Sequence, residues 1–220
     1  MTIPKKLNIF LLAWKEDLTT LAVIVVCLGL FFLFPSQGPA QAITASLIFL
    51  FLAPFLYIKL ILKKHLRSYG WRIGDWKKGV LFAAVSLVLS LLIFYAFYHY
   101  TNFPKAYKLP LSATQNFLFF LLYEFLLVGF FLALYEFFFR GFFMFSFSGK
   151  IGLAAPFCQW FLFLAFLFLA GNFSWQNAPY IITALFSGLI TYKSRSLWYS
   201  FAFSLSFLLI ADAVIIKLLY

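Results

Sequence analysis

From Thr114 to Gly149 the chain runs through phenylalanine, leucine and little else, broken by only three charges: Glu124, Glu136 and Arg140. At ~1.5 Å per residue, a helix of that length outruns the ~30 Å hydrocarbon core of a bilayer. The segment must therefore tilt, kink (Gly129 and Gly141 are the candidate positions) or end along the interface. Shorter apolar runs recur along the rest of the chain, with breakers and basic residues in the gaps. Only 10% of the residues are charged, too few to cover a water-soluble surface. Long apolar runs with charges confined to the gaps specify membrane-spanning helices. The expected fold class is all-α, a polytopic transmembrane helical bundle.

The gaps set the expected boundaries. Residues 3–17 have the pattern of an interfacial amphipathic helix, a first segment over 1–17. Leu7, Leu11, Trp14 and Leu18 share one face, and lysines flank it. A transmembrane bundle then covers 18–220. Its spans are expected at about Leu18–Phe34 (stopped by Pro35), Ala42–Leu62, Val80–Tyr98, the long run 114–149, Leu153–Ala170, Tyr180–Tyr192 and Leu197–Leu219. That makes about seven, the sixth short enough to be re-entrant. Ala40-Gln41-Ala42 imitates a signal-cleavage site. The long segment before the first run carries Glu16 and Asp17, and the run exceeds the usual ~7–15 residues, so a retained span is expected.

Charge sets the expected orientation. Residues 63–78 hold Lys63, Lys64, Arg67, Arg72, Lys77 and Lys78 against a single acid, Asp75. By the positive-inside rule this loop is cytoplasmic. Lys5, Lys6, Lys15, Lys150, Lys193 and Arg195 fall on the same side, opposed by Lys105 and Lys108. The N-terminus is then cytoplasmic and the C-terminus external, with a bacterial inner membrane as the expected setting. The net charge of +11 meets anionic headgroups rather than nucleic acid, because it gathers at span ends and no phosphate loop or nucleic-acid motif accompanies it. Cys27 and Cys158 lie in different apolar runs, without CxxC spacing, and read as packing residues. No cofactor or metal site is expected.

Glu136 and Arg140 stand four apart, so one helical face carries both, in the favourable order. Charges inside a span are costly and turn toward protein or water. One reading is a structural ion pair that locks this helix to its neighbours. The other is a carboxylate that activates water while Arg140 holds its geometry.

The stretch "ALYEFFFRGFF" resembles the first motif, EExxxRG, of the CAAX-protease and bacteriocin-processing family of intramembrane proteases, the type II CAAX prenyl endopeptidase-like group. "YGWRIGDWKKG", residues 69–79, is similar to the approach to an early span in that family. "RSLWYSFAFS", residues 195–204, is similar to the lead-in to its last catalytic helix. Order and spacing fit over about residues 65–210. The resemblance implies a helical bundle with an intramembrane site open to the cytosol, and it carries Glu136, Arg140 and Gly141 over from the motif. Tyr135 replaces the first glutamate of the pair. The helix matching the FxxxH motif has no histidine, and in the third motif the histidine position falls on Ser204 and its partner position on Leu208. His65 lies in the basic loop and His99 at the outer end of a span.

Amide hydrolysis needs an activated water and an oxyanion donor, and losing one donor costs about 10²–10³ in rate. Tyr135, Gln159, Ser204 and Ser206 are donors, but none is a base near neutral pH. The expectation is therefore a non-catalytic membrane protein that binds another integral membrane protein, or a membrane-anchored peptide, in the old active-site cavity. The alternative is an active glutamate endopeptidase using Glu136. A third class is a transport or complex subunit in which Glu124 and Asp212 handle ions, although repeat symmetry and broken-helix pairs are lacking. For Glu124, Asp212 and Lys217 the plain expectation is snorkelling or packing, with a Glu124–Lys217 pair as one option. Many of the 34 phenylalanines must face lipid.

Overall fold

The computed structural model describes residues 5–35 and 38–219, with side chains described from residue 14 to 218 in those ranges. Helix dominates, and no strand occurs among the described residues. Five helical segments are long and apolar enough to cross a membrane: Trp14–Leu33, Pro39–Ile61, Trp76–Tyr100, Phe117–Leu169 and Leu197–Leu218. Their outer faces are lined with exposed Leu, Val and Phe, as a lipid bilayer requires. Phe117, Phe125, Phe161 and Phe168 are among the exposed rings, while Phe137, Phe138, Phe139, Phe142 and Phe207 are fully buried.

The chain divides into two compact units, residues 1–63 and 64–220. The first is a pair of helices, α1 (Lys5–Leu33) and α2 (Pro39–Ile61). α1 runs through residues 17 and 18 without a break, so the segment expected at the interface is not a separate element. Residues 1–4, and the side chains of Leu7 and Leu11 on which that expectation rested, lie outside the described part. α2 changes to π-helical winding at Ile48–Leu52 and Tyr57–Ile61. The Tyr57 hydroxyl donates to Thr19 Oγ1 at 2.9 Å and meets Thr20 Oγ1 at 3.2 Å, which ties the two helices where Ile24, Leu50 and Ile58 are buried.

The second unit has five main helices: α3 (Trp76–Tyr100), α4 (residues 117–151), α5 (Ala155–Leu169), α6 (Ala178–Ser194) and α7 (Leu197–Leu219). The apolar stretch Phe117–Leu169 is not one rod. Gly152, at φ +56, turns the chain back, and α5 returns along α4, placing Phe163 against Phe139 and Phe166 against Tyr135. α5 and α6 are shorter than the ~20 residues of a perpendicular crossing. Within α4 the helix widens in two places. Tyr123–Val128 and Glu136–Met144 wind as π-helix, with Gly129 following the first and Gly141 inside the second. π-Turns are rare and gather at functional sites.

The basic loop before α3 is strapped to the turn between α6 and α7. Asp75 N–H donates to Ser194 O at 2.8 Å, Leu197 N–H to Gly70 O at 3.0 Å, and Arg72 Nε to Arg195 O at 3.0 Å. Gly74 sits at φ +63, and a Cβ there would collide with Ser194 O at 2.1 Å, so the approach needs glycine. Asp75 caps α3 by accepting from Lys78 N–H at 3.1 Å and pairs with Lys78 Nζ at 3.0 Å. These contacts hold its carboxyl below the usual carboxylate range, the backbone N–H of Lys78 first. The strap fixes the entry of α7, which faces Glu136.

Candidate functional site

Glu136 opens the longer π-stretch of α4, and eight of that stretch's nine residues are buried, Phe143 being the exception. Burial on all sides follows from its position among α5, α6, α7 and the loop at Tyr69. Gly141 lets that loop close in, since a Cβ there would stand 3.2 Å from both Tyr69 O and Leu197 Cδ1.

Two hydroxyl relays converge on the carboxylate. Thr191 Oγ1 donates to Ser200 Oγ at 2.7 Å, and Ser200 Oγ donates to Glu136 Oε2 at 2.7 Å. Ser187 Oγ lies 2.6 Å from Ser204 Oγ, which donates to Glu136 Oε1 at 3.3 Å. Each hydroxyl has one hydrogen. The assignment in which α6 donates to α7 and α7 donates to Glu136 uses all four without conflict. All four hydroxyl residues are fully buried, and Glu136 is 2% exposed. Such small polar residues also let α6 and α7 approach closely.

Arg140 is equally buried but less well served. Its Nη1 stands 3.8 Å from Glu136 Oε1, an ion pair too long for a hydrogen bond. Nε and Nη1 have no hydrogen-bond partner, and the guanidinium lies over the Phe163 ring at 5.9 Å. The pair is thus a charge contact inside an aromatic cage. On the other side of Glu136 is an apolar cavity of about 190 Å³, lined also by Trp71, Ala133, Phe137, Leu197 and Trp198. Trp71 packs edge-on against Trp198 and Phe137, with centroids 6.0 and 6.2 Å apart.

Glu136, Arg140 and Ser204 therefore come together. Tyr135 does not join them, because its ring faces Phe163 and Phe166 on α5. Gln159 donates to Ala184 O at 2.7 Å, and Ser206 is exposed. His65 is exposed in the basic loop, and His99 packs against the rings of Tyr95 and Tyr98 at the far end of α3. Ser200, Ser187 and Thr191 were not picked out from the sequence. Their signal was there, as hydroxyls at four-residue spacing: Ser196 just before α7 with Ser200 and Ser204 on it, and Thr183, Ser187 and Thr191 on α6.

A second buried acid lies further out on the same seam. Glu124, in the shorter π-stretch, is 0% exposed, and neither oxygen receives an N–H or hydroxyl hydrogen. The charged group it faces is the carboxyl of Asp212 on α7. Asp212 in turn accepts from the Tyr107 hydroxyl at 2.6 Å. Tyr107 belongs to the loop between α3 and α4, where burial, reinforced by the Asp212 carboxyl, holds its phenol well above the usual range. Lys217 is exposed and makes no ion pair with Glu124, so that pairing is corrected.

No family model, curated protein or solved structure matches the chain.

Proposed function

We propose that the protein is a non-catalytic integral membrane scaffold built like the intramembrane proteases that its EFFFRG segment resembles, and that it holds a membrane-embedded partner segment or a lipidated peptide against the cavity beside Glu136. The observation that supports this reading is the filling of the Glu136 carboxylate. Each of its oxygens already accepts a serine hydrogen, with Ser204 at the position where the family has an imidazole. Each oxygen is already held in place by a hydroxyl, and no histidine stands beside it to share the proton transfer. The cavity walls, by contrast, are aromatic and apolar, suited to an acyl chain, a prenyl group or an apolar helix side chain.

The same reading makes α1 to α7 seven crossings, with α5 and α6 as short ones. The N-terminus is cytoplasmic and the C-terminus external in a bacterial inner membrane. What supports the orientation is the gathering of Arg72, Arg195 and the loop before α3 at one end of the second unit. Cysteine labelling from each side of intact cells should place residues 63–78 inside and 171–179 outside.

One observation favours the second reading, an active glutamate endopeptidase: Glu136 does line the cavity. A single comparison separates the two. Wild type and Glu136→Gln are expressed at matched levels, and the membrane proteome is examined for processed chains. The scaffold reading expects identical processing, and expects Trp198→Ala to reduce partner chains co-purified in mild detergent. A membrane protein cleaved only by the wild type sinks it and makes Glu136 a base.

A further inference from the structure

The seam between α4 and α7 brings two acids together with nothing basic between them. Glu124 is completely enclosed and Asp212 is 3% exposed. Among the described residues the titratable groups facing them are Tyr107 from the loop between α3 and α4, Tyr123 from α4 itself and Tyr180 from α6; no lysine, arginine or histidine does. The Tyr107 hydroxyl is already committed to Asp212 Oδ1. Two ionised carboxylates are acceptors only, so they cannot hydrogen-bond each other. In a dry seam they would repel, and each would lack the donors or cation that a buried charge requires. Yet the stretch that carries Glu124 packs directly against α7, and the two carboxyls face each other across the seam.

We propose that Glu124 and Asp212 form a proton-binding site, in which one exchangeable proton bridges the two carboxyl groups and pins the outer half of α4 to α7. One carboxyl acts as the O–H donor, the other as the acceptor, and Tyr107 completes the acceptor's shell from the loop between α3 and α4. The cluster carries one negative charge in place of two. Tyr107 makes it a latch as well as a site, because the short helical turn Phe103–Ala106 leads directly into the residue that touches Asp212. Losing the proton puts two like charges into the seam and loosens both that loop and the π-stretch Tyr123–Val128. A proton bound by the folded chain, and not by the unfolded chain at neutral pH, makes stability fall as pH rises. This site is independent of Glu136 and its cavity.

Infrared spectroscopy on the full protein in lipid tests the inference. A protonated carboxyl has a C=O stretch that an ionised carboxylate lacks. Wild type at neutral pH should show one such band per chain, shifted downward in D2O because the proton exchanges. Glu124→Gln supplies an amide donor to Asp212 in nearly the same shape, and the band should disappear. Asp212→Asn should remove it or displace it. Absence of any protonated-carboxyl band in the wild type at neutral pH overturns the proposal, whether or not the variants fold. So does a band that survives in folded Glu124→Gln unchanged. A band that appears only when sodium or calcium is withdrawn would make this a cation site, and that too overturns it.

Discussion

Glu136 and Glu124 stand on the same helix and turn toward the same neighbour, α7, yet the chain treats them in opposite ways. Glu136 is over-supplied, with a hydroxyl hydrogen on each oxygen, two further hydroxyls behind them and a guanidinium nearby. Glu124 has no N–H or hydroxyl donor and faces another acid. What separates them on α7 is Leu208, which continues the Ser200–Ser204 row and is 1% exposed, so the row is dry before it reaches Asp212. Ser204 and Asp212 are roughly 12 Å apart along the axis at ~1.5 Å per residue. One helix face thus carries an anion held by donors and, two turns on, an acid pair that needs a proton. Burial alone does not tell what an intramembrane acid does; the donor inventory around it does.

The sharpest way to break this comparison is to remove the charge at the inner site. Glu136→Gln leaves Arg140 buried with no counter-ion and with Nε and Nη1 still unbonded, and a stranded buried charge costs about 3–5 kcal/mol. Arg140→Met should cost less, because Glu136 keeps its two serine donors. The double substitution should recover part of the Glu136→Gln loss. Thermal or denaturant unfolding in a fixed detergent measures all three. Equal losses for the two single variants would show that the serines do not carry the carboxylate, and strictly additive losses would show that the pair does not interact.

How much of this was legible in the sequence depends on which physical rule carried it. Membrane helices followed from the apolar runs alone, because lipid leaves few ways to satisfy the backbone. Glu136, Arg140 and Ser204 were found as a short motif and its expected partner, and they do meet. Tyr135 was chosen because it replaces a motif residue, but the neighbouring aromatic α5 draws its ring to Phe163 and Phe166. The hydroxyl ladder was visible as a spacing, yet a ladder of serines also reads as plain close packing, and nothing local said that two helices would aim theirs at one acid. The meeting of Glu124 with Asp212 joins distant parts of the chain, and the sequence offered only snorkelling, packing or a pair with Lys217. Five segments are long and apolar enough to cross, and for the other expected spans helix length stops being a guide. α5 and α6 are short, and the two π-stretches of α4 have no distinctive sequence pattern.

A smaller perturbation asks which serine matters. Ser200 lies 2.7 Å from Oε2 and is backed by Thr191, whereas Ser204 reaches Oε1 at 3.3 Å. Hydrogen bonds to charged groups contribute about 1.5–3 kcal/mol. Ser200→Ala should fall in that range, and Ser204→Ala should cost about 1 kcal/mol or less, since a long bond is a weak one. A larger loss at Ser204 would put the main donor where the resemblance places a histidine, and would reverse the ranking.

The smallest expected effect is at the outer site, and it is the one that ties the comparison together. Glu124→Gln keeps the shape and replaces the bridging proton with an amide N–H donor to Asp212. At neutral pH its stability should lie within about 1 kcal/mol of wild type, against the several expected for the same change at Glu136. The pH dependence should differ more than the stability. The wild type holds a proton that the unfolded chain releases, so its stability declines as pH rises. The variant carries its donor covalently and should lose that part of the decline, while the contribution of exposed acids such as Asp75, present at neutral pH and lost only in acid, stays common to both. Unfolding midpoints for both proteins between neutral and alkaline pH decide it. Parallel curves would mean that no proton bridges the pair, and the contrast between the two glutamates would reduce to one acid with donors and another merely enclosed.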